Sequence, residues 1–395
     1  MIRSMWTYPW DILDIGKERV YSDLFDTAKL NSISLAMSYH AGRFVQPRSP
    51  KRKVYFPEDG TLYFHVSPEL YEEQLIRPKT VSYVDECDAL IRELENDRRE
   101  RGFRLSSWFV CLHNTRIGME YPEATVVNAF GDYYYYNLCP SNPAARTYIT
   151  TVLKDLTSNY EVDAVELESL SFMGFPHEFH HEKDGVGLND YEQFLLSLCF
   201  CNSCKHRAEQ EGVQFEAVRK FVQDELLATF ERDIPKPVNP EFHSKGMDFF
   251  KDNQSFYEFL KWRNGVVTSL TQEVREAAHP RTDVIFLSLV TDTAWTIGVD
   301  VSEISKVCDA VLVCCYDTDA RRVGIDTKVS RAVVEQGIPL LTGFRVFYPE
   351  VHSKDELIDK INETVENGAS GLNFYNYGLI PKSRLNWIGA THRID

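Results

Sequence analysis

From Val284 onward the chain alternates apolar, β-branched runs with helical stretches at a nearly constant interval. That rhythm constrains the fold more than any single motif. The runs Val284–Val290, Ala310–Tyr316, Ile338–Phe344 and Gly371–Tyr377 begin 26–33 residues apart. Each interval has room for one helix and two short connections, which is the βα unit of a parallel sheet. The first half repeats the alternation less evenly, with runs at Met5–Trp10, Ile33–His40, Arg104–Leu112 and Val162–Glu168. Helical stretches lie around 17–30, 84–101 and 143–160, the last opened by Ser141 or Asn142 as cap with Pro143 in the first turn. Eight strands with intervening helices predict a (β/α)8 TIM barrel formed by residues 1–395 as one domain. A doubly wound open sheet is the alternative, but no Gly-x-Gly-x-x-Gly turn follows the first run. Two segments exceed the barrel's needs. One is an irregular, Pro- and Tyr-rich stretch at 45–80. The other is a long, mainly helical insertion at 189–278 after strand four, broken at Pro235-Lys236-Pro237 and Asn239-Pro240.

Barrel chemistry sits at the C-terminal ends of the strands, so the residues there are the candidates. Strand two ends in Tyr39-His40 and strand three in His113-Asn114. Strand five is followed by Asp292 and Trp295, and strand six by Asp317. Strand seven ends in Arg345, and strand eight in Tyr375-Asn376. Strand four departs from the pattern. Its centre should be apolar, yet Glu166 and Glu168 stand at i and i+2 and therefore point to the same side, with Leu167 opposite. Buried carboxylates are costly unless partnered, so an inward pair marks a functional site more readily than an ion pair to a covering helix. Glu168, nearer the mouth, is the catalytic candidate, and Glu166 a positioning or ligand-binding group. His177, His180 and His181 follow on the next loop. They suit contacts to hydroxyl groups, with a second metal or plain solvation as the other readings. Four tyrosines, Tyr133 to Tyr136, read as an aromatic rim on the loop after strand three.

Cys199, Cys201 and Cys204 crowd three thiols into six residues. Thiolates converge at that spacing around a tetrahedral Zn²⁺, which needs a fourth ligand from elsewhere. Cys139 is the candidate and His206 the local rival; buried, reduced cysteines that simply fill space are the plain alternative. The other five cysteines, 87, 111, 308, 314 and 315, read as core.

A net charge of −16 excludes a nucleic-acid surface, which needs a basic footprint. Nine cysteines, clustered rather than spread as a disulfide framework, fit a reducing compartment. With no apolar leader in Met1–Trp10 and no run approaching eighteen apolar residues, no membrane association and a cytoplasmic location are expected. A homo-oligomer is left open. No phosphate-binding loop or other cofactor motif is present, so no organic cofactor is expected.

The cysteines and strand four together resemble the clan of barrel glycoside hydrolases that contains the family 42 β-galactosidases. There, a Cys-Pro segment before the helix leading to strand four supplies one zinc ligand, and a Cys-x-Cys-x₂-Cys segment after the strand-four glutamate supplies three. Here Cys139-Pro140-Ser141-Asn142-Pro143 and Cys199-Phe200-Cys201-Asn202-Ser203-Cys204 stand in the same order around Glu168. The resemblance covers about residues 130–205. It implies a structural zinc and a carbohydrate substrate. Leu167 stands where the clan has Asn, no glutamate closes strand seven, and the interval from Glu168 to Cys199 is longer, so a divergent barrel glycosidase is the better description.

Glycoside cleavage needs two carboxyl groups across the scissile bond. Glu168 is one, and Asp317 outranks Glu350 and Asp292 for the other. The expected sugar contacts are Tyr39, His40, His113, Asn114, Glu166, His177, His180, Asp292, Trp295, Arg345, Tyr375 and Asn376, with Trp295, Tyr375 and the 133–136 tyrosines as stacking faces. Two other classes fit the same residues. One is an isomerase, epimerase or lyase using Glu168 with a histidine. The other is a barrel that binds glycan without turnover.

Overall fold

The computed structural model describes every residue except Glu178, His180 and Asp395, and every side chain except theirs and those of Arg393 and Ile394. Eight parallel strands close into a barrel: β1 (Ile2–Thr7), β2 (Ser32–Tyr39), β3 (Arg104–Val110), β4 (Ala164–Glu168), β5 (Asp283–Ser288), β6 (Ala310–Cys314), β7 (Leu340–Arg345) and β8 (Gly371–Tyr375). Each pairs with the next in sequence, and β1 closes the ring against both β8 and β2. All eight strands stand where the sequence predicts them. The first ends earlier than its apolar run, because Pro9 opens a helix, Pro9–Ile15, with no N–H to offer the sheet.

The strands are apolar because both faces are covered. One cluster, with Leu167, Val165, Val311 and Phe374, fills the space between strands and outer helices. A second fills the barrel interior, with Trp6, Trp108, Ala164, Ile285, Leu312 and Leu341. Gly343 on β7 lets the Trp6 ring lie across the barrel, since a Cβ there would meet Trp6 Cη2 at 2.8 Å. The outer helices include α1 (Val84–Arg101) before β3 and α2 (Pro143–Asn159) before β4, the latter capped by Asn142.

Between β4 and β5 the chain forms α3 (Asp190–Leu196), α4 (Asn202–Gln210), α5 (Phe215–Phe230), α6 (Pro240–Lys245) and α7 (Gln254–Ala277). Helix α7 packs along α2, which is where an outer barrel helix after β4 belongs. Helix α8 (Ala320–Val333) joins β6 to β7, and α9 (Lys354–Glu366) joins β7 to β8.

The tyrosines at 133–136 are not a loop. Tyr133–Leu138 is a strand, paired antiparallel with Thr125–Val127. Alternation sets their exposure: Tyr133 and Tyr135 face outward, and Tyr136 is buried.

Candidate active site

The barrel interior carries a carboxylate held by three donors. Glu166 Oε2 accepts from Trp6 Nε1 at 2.8 Å, Ser34 Oγ at 2.7 Å and Asn373 Nδ2 at 3.2 Å, side chains from β1, β2 and β8. Glu166 is 2% exposed, and burial pushes its pKa up to about 7 although each donor pulls it down. Two residues on, toward the mouth, Glu168 accepts from the indole N–H of Trp108 on β3. Burial raises its pKa to about 7 as well, with that one hydrogen bond opposing. Ser169 then takes a φ of 56°, a left-handed conformation unusual for a residue with a side chain, and turns the chain off the strand.

Glu168 opens onto a cavity of about 760 Å³ at the C-terminal ends of the strands. Its walls combine aromatic and charged side chains. Trp6, Trp108, Tyr316 and Tyr375 supply rings, and Asp292, Asp317, Asp326, Arg322 and Arg345 supply charge. Arg345 lies over the Tyr316 ring at 4.6 Å and donates to Glu350 Oε1 at 2.8 Å. Glu350 itself is 7% exposed and not part of the wall, so it steadies Arg345. Arg322 bridges Asp292 and Asp326, and desolvation lifts the buried Asp326 carboxyl to about 6. Asp317 accepts the backbone N–H of Asp319 at 2.8 Å, which fixes the turn after β6.

Of the residues expected from sequence, Glu168, His177, Asp292, Asp317, Arg345 and Tyr375 line this cavity together. Glu166 lies beneath it as a support. Tyr39 is buried, and its hydroxyl accepts from that of Tyr8 at 2.9 Å, which also lies 3.1 Å from the Tyr375 hydroxyl. His40 and His113 stack at 3.8 Å, with His177 edge-on to His113 at 4.5 Å. They back His177 and do not reach the wall. Desolvation pushes both down, His40 to about 4, so both are neutral imidazoles at pH 7.

Asn114 is spent locally, and Asn376 is engaged through its oxygen, with its amide nitrogen buried and without a partner among the described residues. Asn114 Oδ1 caps the helix Thr115–Glu120 through Ile117 N at 2.9 Å, and Asn376 Oδ1 accepts Gly378 N at 3.0 Å. Trp295 does not reach the Glu168 cavity; its ring packs on Phe194 of α3 at 4.8 Å and on Phe242 of α6 at 5.6 Å. The tyrosine strand does not line the cavity either. Tyr136 donates to Gly174 O and Tyr134 to Leu196 O, so the pair braces the strand-four loop and α3. His181 is exposed in a bend, and His180 lies outside the described residues.

Sequence reading missed Trp6, Trp108, Tyr316, Arg322 and Asp326. The tryptophans carried a signal, because strand alternation puts Trp108 beside Glu166 in the β3–β4 register. Arg322 and Asp326 sit on α8, and only packing brings that helix to the mouth.

The four cysteines converge away from the cavity. Cys139 Sγ lies 3.5 Å from Cys204, 3.8 Å from Cys199 and 3.6 Å from Cys201, and all four are buried. A tetrahedron with metal–sulfur arms of about 2.3 Å has edges of about 3.8 Å, so these thiols are able to hold one metal ion. Backbone N–H groups of Val127, Ser141 and Cys204 point at three of the sulfurs, at 3.4 Å each, as thiolate acceptors require. His206 is exposed beside Gln210, so Cys139 completes the set.

No protein-family model matches the chain, and no curated protein matches it. Among solved structures it is similar to α-L-fucosidase isoenzyme 2 from Paenibacillus thiaminolyticus, with a TM-score of 0.58 and 11% identity over 100% of this chain and 49% of that chain. It therefore spans about half the length of that fucosidase chain. It is also similar to the catalytic domain of β-amylase from Paenibacillus polymyxa, with a TM-score of 0.56 and 10% identity over 97% of this chain and 94% of that chain. At such identities the likeness is one of fold, and the fold is the closed barrel described above.

Proposed function

We propose that the protein is a glycoside hydrolase with Glu168 as general acid and Asp317 as the second carboxyl group. The observation that carries this is Glu168 itself, a carboxyl raised to about 7 by burial, opening onto an aromatic-walled cavity at the mouth of a barrel. At neutral pH a large share of it is protonated, ready to protonate a departing glycosidic oxygen. Asp317 lines the same cavity and meets the requirement for two carboxyl groups. Sugar rings offer an apolar face and a polar equator. Trp6, Trp108 and Tyr375 suit the first; Asp292, Arg345 and His177 suit the second. The fucosidase and β-amylase likeness is compatible with this choice.

We further infer that Cys139, Cys199, Cys201 and Cys204 bind a structural Zn²⁺, in keeping with the resemblance to the family 42 clan. Four thiolates fill a tetrahedral ion's coordination, and none of them lines the Glu168 cavity. Nine cysteines without a disulfide fit a reducing, cytoplasmic setting. No described helix is long and apolar enough to cross a membrane.

His177 shares the cavity with Glu168, which keeps a second reading open: proton transfer on a free sugar by an isomerase, epimerase or lyase. A panel of aryl glycosides, with products resolved by chromatography, separates the two. Release of aglycone that Glu168→Gln abolishes supports hydrolysis. Conversion of a free sugar with no glycoside cleaved overturns it.

A further inference from the structure

Next to the Glu168 cavity is a second one of about 550 Å³. The two share Met173, Leu289, Asp292, Thr293, Ile297 and Arg322 as a common border, so they lie side by side. The second is built by the insertion after β4. Helix α3 contributes Phe194 and Gln193, helix α6 contributes Phe242, and the loop after β5 contributes Trp295. Trp295 therefore does not face the reacting centre; it walls the adjoining cavity.

That cavity has the surface chemistry of a saccharide subsite. Trp295 is held by Phe194 at 4.8 Å and Phe242 at 5.6 Å, so its indole is fixed without a ligand to order it. Polar groups ring the aromatic patch. Asp190 pairs with His243 at 3.2 Å, and the Asp292–Arg322 pair stands at the border. The Gln193 amide nitrogen is spent on Leu188 O at 3.0 Å, which leaves its oxygen as an acceptor. An apolar face edged by donors and acceptors suits a pyranose and not a hydrocarbon.

We infer that the substrate is an oligosaccharide, with one sugar at Glu168 and the next in the Trp295 cleft. The inference rests on the glycoside hydrolase reading, and it gives the insertion a role in selecting substrates longer than one unit. Binding energy from the second sugar is realised in the transition state at the first, so chain length should raise kcat/KM.

The test uses 4-nitrophenyl glycosides carrying one, two and three units of whichever sugar the panel above identifies. In the wild-type protein kcat/KM should rise about tenfold or more from one unit to two. In Trp295→Ala that gain should disappear. Trp295→Leu keeps apolar volume against Phe194 and Phe242 while removing the flat ring, so it covers the case in which the alanine variant fails to fold. A wild-type protein that cleaves one and two units equally well overturns the inference and leaves the hydrolase reading standing. So does a Trp295→Leu protein that keeps the full gain. If no glycoside is cleaved at all, the hydrolase reading fails first. Calorimetric titration of Glu168→Gln with maltose, cellobiose, chitobiose and lactose, each beside its monosaccharide, then decides the cleft. Tighter disaccharide binding that Trp295→Leu removes supports it, and equal or absent binding overturns it.

Discussion

Replacing Glu168 by Gln keeps the side chain's shape and removes its proton, so one variant tests both the chemistry and the electrostatics of the site. Loss of a general acid costs about 10²–10⁴ in rate. The stability effect has the opposite sign and a defined pH window. In the folded protein the carboxyl ionises near 7, against a reference value of 4.5. Below pH 4.5 both states hold the proton and burial of this group costs nothing extra. Between 4.5 and about 7 the unfolded chain releases the proton while the folded one keeps it, so stability falls as pH rises. Holding the carboxylate in its buried place then costs about 3 kcal/mol, reached in full above pH 7. Gln does not ionise and carries no such penalty. With an unfolding entropy near 0.8 kcal/mol/K for a chain of this length, Glu168→Gln should gain about 3–4 °C in Tm over wild type at pH 8 and nothing at pH 4.5. Differential scanning calorimetry across that range reads the gain, and turnover of a confirmed substrate reads the chemistry. A Tm difference that stays flat with pH refutes the burial argument. Near wild-type turnover refutes the catalytic role.

Asp317→Asn should lower kcat by about 10²–10⁴ with a smaller change in KM, because the group is assigned to the reaction and not to binding; an unchanged kcat moves the second role to Asp292 or Asp326. Gly343→Ala sets a methyl group against Trp6 Cη2 at 2.8 Å and Leu312 Cδ2 at 3.2 Å. It should cost about 1–3 kcal/mol by thermal unfolding, and it should lower activity, since Trp6 holds Glu166. A Gly343→Ala protein as stable and active as wild type would show that the Trp6 ring has room to move. Purified protein should carry about one zinc per chain by elemental analysis. Cys139→Ser should lose it and His206→Ala keep it; the reverse pattern would reject the assignment of four cysteine ligands.

The barrel was legible because parallel strands covered on both faces read as continuous apolar runs. Glu166 and Glu168 were legible as breaks in such a run. The tyrosines at 133–136 were not, because alternation cannot be seen in a run of one residue type. Asn114 and Asn376 look like mouth residues by position. Asn114, though, precedes a helix that starts at Thr115, and a cap is what such an asparagine most often supplies. Position at a strand end places a residue near the mouth; it does not say whether its polar atoms are already engaged. The same holds for His40 and His113, stacked on one another behind His177. Trp295 follows the right strand, yet α3 and α6 draw it into their own aromatic cluster, and nothing local in the sequence encodes that long-range packing.

The cysteines and the cleft belong to one structural problem, namely how the insertion after β4 is held in place. Cys139 lies on the connection from β3 to α2, part of the barrel proper. Cys199 follows α3, which walls the Trp295 cavity, and Cys201 caps α4. A metal on these thiols closes a loop of about sixty residues and removes about 4 kcal/mol of chain entropy from the unfolded state, by analogy with a covalent cross-link. Arg263 of α7 stands beside this centre. It is 1% exposed, and burial pulls its pKa down to about 10, with Cys199, Cys204 and Cys139 opposing. Among the described residues no carboxylate pairs with it. A buried guanidinium needs a counter-charge, and four thiolates on a divalent ion supply two negative charges. The same guanidinium stacks on Phe172 at 4.4 Å and donates to Thr296 O at 2.9 Å, in the loops after β4 and β5. Arg263 thus stands between the cysteine centre and the loops that carry Trp295, and an ion on the thiols would help to fix the wall of the second cavity.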